Sequence, residues 1–206
     1  MTCGNSAAVR NARGALLCVV AGVALLVGAA GTVNAANWGI EELMRSLAQV
    51  KSAKARFVER KELAILTAPL ETAGILAYTA PNRLEKHTLR PEPETLILDQ
   101  DRLTIESKAA GKRRTLALPD YPVVWAFVES IRSTLAGDLQ TLERFYRVTL
   151  EGDERAWRLL LTPIEPKMQS VVSEIRIGGS GNWIGTIEVL ETGGDRSLMT
   201  ITPYTS

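Results

Sequence analysis

The sequence predicts a mainly β protein with some α-helix: a curved antiparallel sheet, or incomplete β-barrel, of about 11 strands covered by a helical lid. Three observations lead to this prediction. Short apolar or alternating segments separated by turn residues recur along most of the chain. The long strand–helix–strand rhythm of a parallel sheet is missing. Two amphipathic segments, at residues 40–50 and 124–135, have the spacing of helices that could cover an apolar sheet face.

The first 35 residues match the pattern of a secretory signal peptide, so the chain divides into a signal at 1–35 and a single domain at 36–206. Arg10 and Arg13 precede an uncharged apolar run of 17 residues, and Val-Asn-Ala at 33–35 supplies the small residues that precede a cleavage point. We expect cleavage and export to the periplasm. The alternative is an uncleaved membrane anchor, for which this weakly apolar run is at the short limit.

The composition of the remaining chain excludes several classes of function. Residues 36–206 number 171 and carry 22 basic and 23 acidic side chains but no cysteine. This near-neutral balance gives no electrostatic reason to expect a nucleic acid partner. The lack of thiols in this part excludes disulfides, a cysteine nucleophile and a cysteine-based metal site. A single core can stabilise a chain of this length.

The first predicted helix follows Asn37, and strands follow the helix. Apolar residues recur at intervals of three and four from Ile40 to Val50, with Glu41 and Glu42 near the positive end of the helix dipole. Beyond this helix the period falls toward two, and proline and Asp-Gln-Asp turn signals separate the apolar segments. Six strands are predicted, around Phe57 and at 74–78, 83–89, 95–98, 103–105 and 114–118.

The pattern then changes to helix and returns to strand. Residues 121–135 have helical spacing, Gly137-Asp138 interrupts it, and residues 139–145 continue it, so two helices are predicted. Glycine-rich and charged turn signals separate the segments that follow. Five strands are predicted, at 146–150, 157–161, 174–177, 186–190 and 197–201.

Residues able to carry out catalysis or hold a metal ion are sparse. His87 is the single histidine of the sequence, and no Gly-x-Ser-x-Gly motif accompanies it. Asp99 and Asp101 are better explained as turn residues than as metal ligands. The glycine-rich segment 178–181 is not followed by a helix signal, so it does not resemble a phosphate-binding loop. We therefore predict no catalytic residue, no metal site and no cofactor.

A basic cluster lies beside a predicted turn and is formed by Lys108, Lys112, Arg113 and Arg114. The favoured interpretation is a charged hairpin tip. The alternative is a docking site for an acidic partner or a lipid headgroup.

The strands carry more apolar side chains than simple alternation requires. A filled core explains most of them, but a cavity between sheet and lid that holds an acyl chain would explain them equally well. Burial of an acyl chain gains about 0.8 kcal/mol per methylene, so a dozen methylenes would supply roughly 10 kcal/mol without polar chemistry. Composition does not separate the two interpretations.

Several segments, in order, resemble the family of the periplasmic lipoprotein carrier LolA. They are Gly-Ile-Leu-Ala-Tyr-Thr-Ala-Pro-Asn-Arg-Leu at 74–84, Leu-Arg-Pro at 89–91 and Thr-Leu-Ile-Leu-Asp at 95–99. Phe-Val-Glu-Arg-Lys at 57–61 is similar to the family's F-x-Q/E-x-K strand, and Leu-Thr-Pro at 161–163 to its LTP strand end. A late hairpin that begins at Glu174 agrees as well. The resemblance covers nearly all of residues 38–202.

This resemblance implies an unclosed antiparallel barrel with a helical lid and a hydrophobic ligand between them. In the family the ligand is the acyl part of a lipoprotein, which passes from an inner-membrane exporter to an outer-membrane receptor without any bond being made or broken. A monomer is expected. The implied lining residues are Phe57, Leu76, Tyr78, Leu84, Ile97, Leu103, Ile105, Leu116, Val124, Phe127, Val128, Ile131, Trp157 and Leu159.

The sequence departs from the family pattern at one position that matters for the lid. Family carriers often have an arginine before the proline that bonds to the lid, and here this residue is Ala80. Lid closure would then depend on packing or on Arg83. The chain also ends soon after the last predicted strand, whereas the best-known carriers have a C-terminal extension.

Three alternatives to a lipoprotein carrier stay open. One is a carrier dedicated to a glycolipid or a lipid-linked pigment precursor. Another is an outer-membrane receptor of the same fold, which would need a lipid anchor, and Ala-Leu-Leu before Cys18 is a poor acylation signal. The third, an enzyme acting on lipids or glycans, lacks a nucleophile motif.

Overall fold

The computed structural model describes residues 38–107 and 111–205, which belong to one compact unit, Trp38–Ser206. The predicted signal peptide lies outside the described residues, as does Lys108 of the basic cluster. The helices are α1 Ile40–Leu47, α2 Pro122–Ala136, α3 Leu139–Phe145 and α4 Pro166–Gln169, with a 3₁₀ turn at Leu118–Asp120. The strands are β1 Ser52–Glu62, β2 Leu70–Thr79, β3 Arg83–Arg90, β4 Glu94–Asp99, β5 Arg102–Ser107, β6 Lys112–Ala117, β7 Tyr146–Asp153, β8 Ala156–Pro163, β9 Val172–Ser180, β10 Trp183–Glu191 and β11 Arg196–Pro203.

The eleven strands in the described part of the chain form one antiparallel sheet in the order β6-β5-β4-β3-β2-β1-β11-β10-β9-β8-β7. All neighbours are consecutive along the chain except β1 and β11, which pair from Ala55↔Pro203 to Glu62↔Arg196. The sheet is not closed, because β6 and β7 remain as its two edges. The predicted mainly β fold with an unclosed antiparallel sheet is confirmed. The one-turn helix α4 was not predicted, since four residues give no periodicity.

The two faces of the sheet are distinguished by alternating burial along β1. Ala55, Phe57 and Glu59 are buried, whereas Arg56 and Val58 between them are exposed. Successive side chains of a strand point to opposite faces, and residues paired in register share a face. We call the face that carries Ala55, Phe57 and Glu59 the inner face, and the strand register extends this assignment across the sheet.

The core lies on the inner face of β7 to β11 and β1. Leu159 and Leu161 of β8 and Ile177 of β9 are fully buried there. Helices α1 and α3 contribute Leu43 and Leu142 to the same cluster. In this half of the sheet the protein's own side chains fill the space against the inner face.

Helix α2 ends against α1 at a position that requires glycine. Gly137 follows α2 with a φ of 68°, and a Cβ atom there would lie 2.1 Å from the carbonyl oxygen of Met44. A left-handed glycine satisfies the last helical carbonyls and permits this close approach. At its other end α2 follows the 3₁₀ turn, where the Leu118 N–H donates to the carbonyl oxygen of Asp101 at 2.8 Å. Within the described residues, the helices are too short or too polar to cross a membrane.

Candidate ligand-binding face

The inner-facing side chains of β2 to β6 form a surface that we call the β2–β6 face. The register arranges them in three rows across the strands. The first row is Tyr78, Leu84, Leu98, Leu103 and Leu116. The second row is Leu76, Lys86, Leu96, Ile105 and Arg114. The third row is Gly74, Thr88, Glu94, Ser107 and Lys112. The first row is entirely apolar apart from the tyrosine hydroxyl.

Half of the predicted lining residues lie on or next to this face. They are Leu76, Tyr78, Leu84, Leu103, Ile105 and Leu116, with Phe57 on the neighbouring strand β1. Tyr78 is buried, but Leu84, Leu103 and Leu116 are half-buried. Most of the apolar side chains of this face are therefore not packed into the core cluster and are accessible to a ligand.

The structure places Ile97 on the opposite face of the sheet. Ile97 pairs with Glu85 and Thr104, whereas the adjacent Leu96 and Leu98 belong to the inner-facing rows. Ile97 therefore cannot line the same surface as Leu103. In a run of three consecutive apolar residues the pattern does not show which side chains point inward, so Ile97 was predicted as lining and its inner-facing neighbours Leu96 and Leu98 were not.

Trp157 and Leu159 were also predicted to contact a ligand, but they are packed within the protein. Both are buried on β8. The Trp157 indole donates from Nε1 to the carbonyl oxygen of Gly181 at 2.9 Å, and a Cβ on Gly179 would lie 2.4 Å from its ring. These two side chains contribute to the filled half of the sheet.

Helix α2 buries a polar stripe and leaves much of its apolar stripe uncovered. Its buried residues are Ala126, Glu129, Ser130, Ser133 and Thr134. By contrast, the predicted lid residues Val124, Val128 and Ile131 are half-buried, and Phe127 is 37% exposed. Among these four, Ile131 packs against the core cluster. Val124, Phe127 and Val128 are thus apolar surface that the described core does not use.

Hydrogen bonds within α2 explain why its polar stripe can be buried. The Glu129 carboxylate, 2% exposed, is paired with Arg132 and accepts from Trp125 Nε1 and Ser133 Oγ at 3.0 Å each. Because its partners lie three and four residues away, the helix itself compensates the buried charge. This spacing of three and four residues is visible in the sequence, but the apolar pattern from which the lid was predicted does not include it.

Arg132 also connects α2 to the sheet. Its guanidinium donates to the carbonyl oxygen of Gln100 in the β4–β5 turn at 3.0 Å and lies 3.8 Å from the Asp101 carboxylate. This turn directly follows the first row of the β2–β6 face. Arg83, which was considered beside packing as a means of closing the lid, lies on the outer face and forms ion pairs with Glu85 and Asp99.

A charged pair lies on the inner face beside Phe57. Glu59, 7% exposed, pairs with Lys86 and accepts from Ser197 Oγ at 2.8 Å. Burial alone would raise the pKa of Glu59, but the Lys86 charge and hydrogen bond outweigh it and hold the pKa below its usual value. The Lys86 ammonium lies 5.0 Å from the centre of the Phe57 ring. This pair separates the apolar first row from the β1–β2 loop.

Tyr78 supplies the one unusual polar atom of the first row. Its side chain is 5% exposed, and its hydroxyl has no hydrogen-bond partner among residues 38–107 and 111–205. Desolvation raises the pKa of this hydroxyl. A buried hydroxyl without a partner carries an uncompensated desolvation cost, which an acceptor oxygen from a ligand would remove.

Two depressions of about 500 Å³ each lie elsewhere on the sheet. One includes Gly178, Gly185 and Thr186 beside Trp157, and the other includes Val58 and Ile75 beside Phe57. Most of their lining is on the outer face, so neither is the predicted space between lid and sheet.

The residues considered for catalysis do not gather around the β2–β6 face. His87 lies on the outer face, with Nε2 2.8 Å from Glu85 and Nδ1 3.4 Å from Thr95 Oγ1. The described part of the chain holds no group of three His, Cys, Asp or Glu side chains placed to bind a metal ion.

Comparison with known proteins identifies similar chains. Residues 29–202 match the family described as outer membrane lipoprotein carrier protein LolA-like. A comparison with curated proteins gave no match. A LolA superfamily protein from Nitrosomonas europaea is 9% identical, with a TM-score of 0.43 over 81% of this chain and 94% of that chain.

Two further solved structures are similar at the same level. A putative outer membrane lipoprotein-sorting protein domain from Vibrio parahaemolyticus is 9% identical, with a TM-score of 0.40 over 79% of this chain and 88% of that chain. A chain of the MucA/MucB complex from Pseudomonas aeruginosa is 14% identical, with a TM-score of 0.42 over 81% of this chain and 58% of that chain.

Proposed function

The chain belongs to the LolA-like family, a generally non-enzymatic carrier fold with a general binding or carrier role, and on this premise we propose that it carries the acyl chain of an amphiphile on the β2–β6 face. The observation that carries the proposal is the apolar first row, in which Leu84, Leu103 and Leu116 are half-buried and Tyr78 and Leu98 are buried, next to a turn that α2 contacts through Arg132. Val124, Phe127 and Val128 of α2 supply further apolar surface outside the core. An acyl chain on these surfaces gains about 0.8 kcal/mol for each methylene removed from water.

The cellular role that we propose follows from the family and the signal pattern. The chain is exported to the periplasm after cleavage near residue 35, takes an acylated lipoprotein or related amphiphile from an inner-membrane exporter, and delivers it to an outer-membrane receptor. The family description and the Arg10-to-Ala35 pattern support this role. Transfer needs no covalent step, because burial of the acyl chain supplies the binding free energy.

A pair of neighbouring substitutions tests the binding surface. Leu116→Glu places a charge in the first row, whereas Thr115→Glu places it on the outer face of the same edge strand. We expect Leu116→Glu to weaken uptake of the neutral apolar dye N-phenyl-1-naphthylamine at least tenfold, and Thr115→Glu to leave it unchanged. Equal uptake by both variants would refute the assignment of the face.

Mass spectrometry identifies the cargo. The protein is purified from the periplasm without detergent, and its bound molecules are extracted and compared with those from the Leu116→Glu variant. We expect an acylated species that the variant lacks. A lipopeptide supports lipoprotein transport, and a glycolipid or pigment precursor supports a dedicated carrier. A chemically altered product that accumulates with time would contradict a carrier.

A further inference from the structure

The basic cluster near the β5–β6 hairpin divides between the two faces of the sheet. Arg113 lies on the outer face, where its Nε is 3.2 Å from Glu106. Arg114 and Lys112 lie on the inner face, in the second and third rows. The inner-facing side chains of β6 therefore change from apolar to basic along the strand, in the order Leu116, Arg114 and Lys112.

The inner-facing cations of β6 are free to meet a ligand. Both Arg114 and Lys112 are exposed, and neither forms an ion pair with any residue in 38–107 or 111–205. The third cation of the face, Lys86, is already neutralised by Glu59. The remaining carboxylate, Glu94, lies in the third row two strands from Lys112, about 10 Å at the usual strand spacing. The β6 side of the face is therefore net positive.

The spacing between apolar and basic rows fits one amphiphile. Alternate residues of a strand are about 7 Å apart, so Arg114 lies about 7 Å and Lys112 about 14 Å beyond Leu116. An acyl chain that packs on Leu116 and Leu103 brings its polar end to these two side chains. Arginine and lysine are the usual partners of phosphate and carboxylate oxygens.

We propose that the β2–β6 face selects amphiphiles with an anionic headgroup, a phosphate or carboxylate held by Arg114 and Lys112 while the acyl chain packs on the first row. This inference rests on the proposed carrier function and adds the charge of its ligand. The neutral end of a diacylglycerol-type lipid gains nothing from these two cations, so selectivity follows from the headgroup alone.

Displacement of N-phenyl-1-naphthylamine from the purified protein tests the proposal. The competitors share one palmitoyl chain: lysophosphatidic acid is anionic, lysophosphatidylcholine is zwitterionic, and monopalmitin is neutral. We expect lysophosphatidic acid to bind about tenfold more tightly than monopalmitin at low salt, and this preference to shrink in 0.5 M salt because exposed charges are screened.

Matched double variants assign the preference to the inner face. Arg114→Gln with Lys112→Gln should weaken the binding of lysophosphatidic acid to the level of monopalmitin and so abolish the preference. Arg113→Gln with Arg102→Gln removes the same charge from the outer face and should keep the preference. An equal loss in both pairs would overturn the proposal, since it would reflect net charge.

The outcomes separate this inference from the carrier function. If monopalmitin and lysophosphatidic acid displace the dye equally, the carrier function stands and headgroup selection is overturned. If none of the three displaces it, the carrier function itself fails. A last experiment is sedimentation with phosphatidylglycerol vesicles. If vesicle binding requires Arg114 and Lys112 while the monomeric competitors show no preference, these two residues contact a membrane surface and the proposal is overturned.

Discussion

Two buried tyrosines differ in a way that gives opposite expectations for the same substitution. The Tyr146 hydroxyl donates to the carbonyl oxygen of Ala126 in α2 at 2.9 Å, and burial raises its pKa. The Tyr78 hydroxyl is buried without a partner among the described residues. Replacement by phenylalanine keeps both rings and removes one oxygen, so neither change opens a large cavity.

The expected magnitudes follow from this difference. Tyr146→Phe removes a hydrogen bond with a net value of about 1 kcal/mol, so it should lower the free energy of unfolding by that amount. Tyr78→Phe removes a hydroxyl that was desolvated without compensation, so it should raise the free energy of unfolding by about 1–2 kcal/mol. The two variants should therefore differ by about 2–3 kcal/mol.

Urea unfolding of the delipidated proteins, followed by tryptophan fluorescence, measures this difference. A change in midpoint at constant slope reports stability alone. If Tyr78→Phe destabilises the ligand-free protein as much as Tyr146→Phe does, the hydroxyl has a partner and the reasoning is refuted.

Three further changes test the polar contacts and the helix end. Glu59→Gln should lower the free energy of unfolding by about 2 kcal/mol at neutral pH, since it leaves the Lys86 ammonium unpaired. The pKa of Glu59 is lowered from 4.5, so the stabilisation by its ionised form is present above that pH and is lost as the pH falls through the pKa of the folded protein. Urea titrations should therefore show the stabilities of variant and parent converging in acid. Arg132→Lys keeps the charge beside Glu129 but shortens the reach to the β4–β5 turn, so stopped-flow release of N-phenyl-1-naphthylamine should quicken several-fold while the free energy of unfolding falls by about 1 kcal/mol, and an unchanged rate would contradict the connection. Gly137→Ala should lower thermal stability more than Gly181→Ala, because both have positive φ but a Cβ contacts other atoms within 4 Å only at Gly137; equal losses would show that the close approach to α1 is unimportant.

The strands could be predicted from the sequence because their signals are local. Alternation and turn residues mark β1 to β6 and β7 to β11 without knowledge of the pairing. Which half of the sheet is filled is not a local property. It depends on the pairing of β1 with β11, which brings residues near 57 next to residues near 201. Trp157 and Leu159 therefore looked like Leu103 and Leu116 in the sequence but belong to the packed half.

The orientation of α2 could not be predicted from its apolar residues. An amphipathic helix is expected to bury its apolar stripe. Here Ala126 is buried and Ile131 packs against the core, but Glu129 and Ser133 are buried as well, hydrogen-bonded to each other within the helix. The contact from Arg132 to the carbonyl oxygen of Gln100 spans 32 positions and leaves no sequence pattern. Ile97 failed for a different reason, since a run of three apolar residues conceals which of them faces inward.

The internal bonding of α2 bears directly on how the β2–β6 face could admit a ligand. The bonds of Glu129 to Trp125 and Ser133 stay within the helix and would survive its displacement. Within residues 38–107 and 111–205, side-chain hydrogen bonds join α2 to other elements at Arg132, which donates to the β4–β5 turn, and at Ala126, whose carbonyl oxygen accepts from Tyr146. Each contributes about 1 kcal/mol net. A ligand that covers the first row and the apolar side chains Val124, Phe127 and Val128 of α2 gains more free energy than this by burying a few methylenes, at about 0.8 kcal/mol each. If the proposed carrier function holds, access to the face would be controlled mainly by apolar contacts, which a ligand can replace, and the internally bonded polar stripe would keep the cost of moving α2 low.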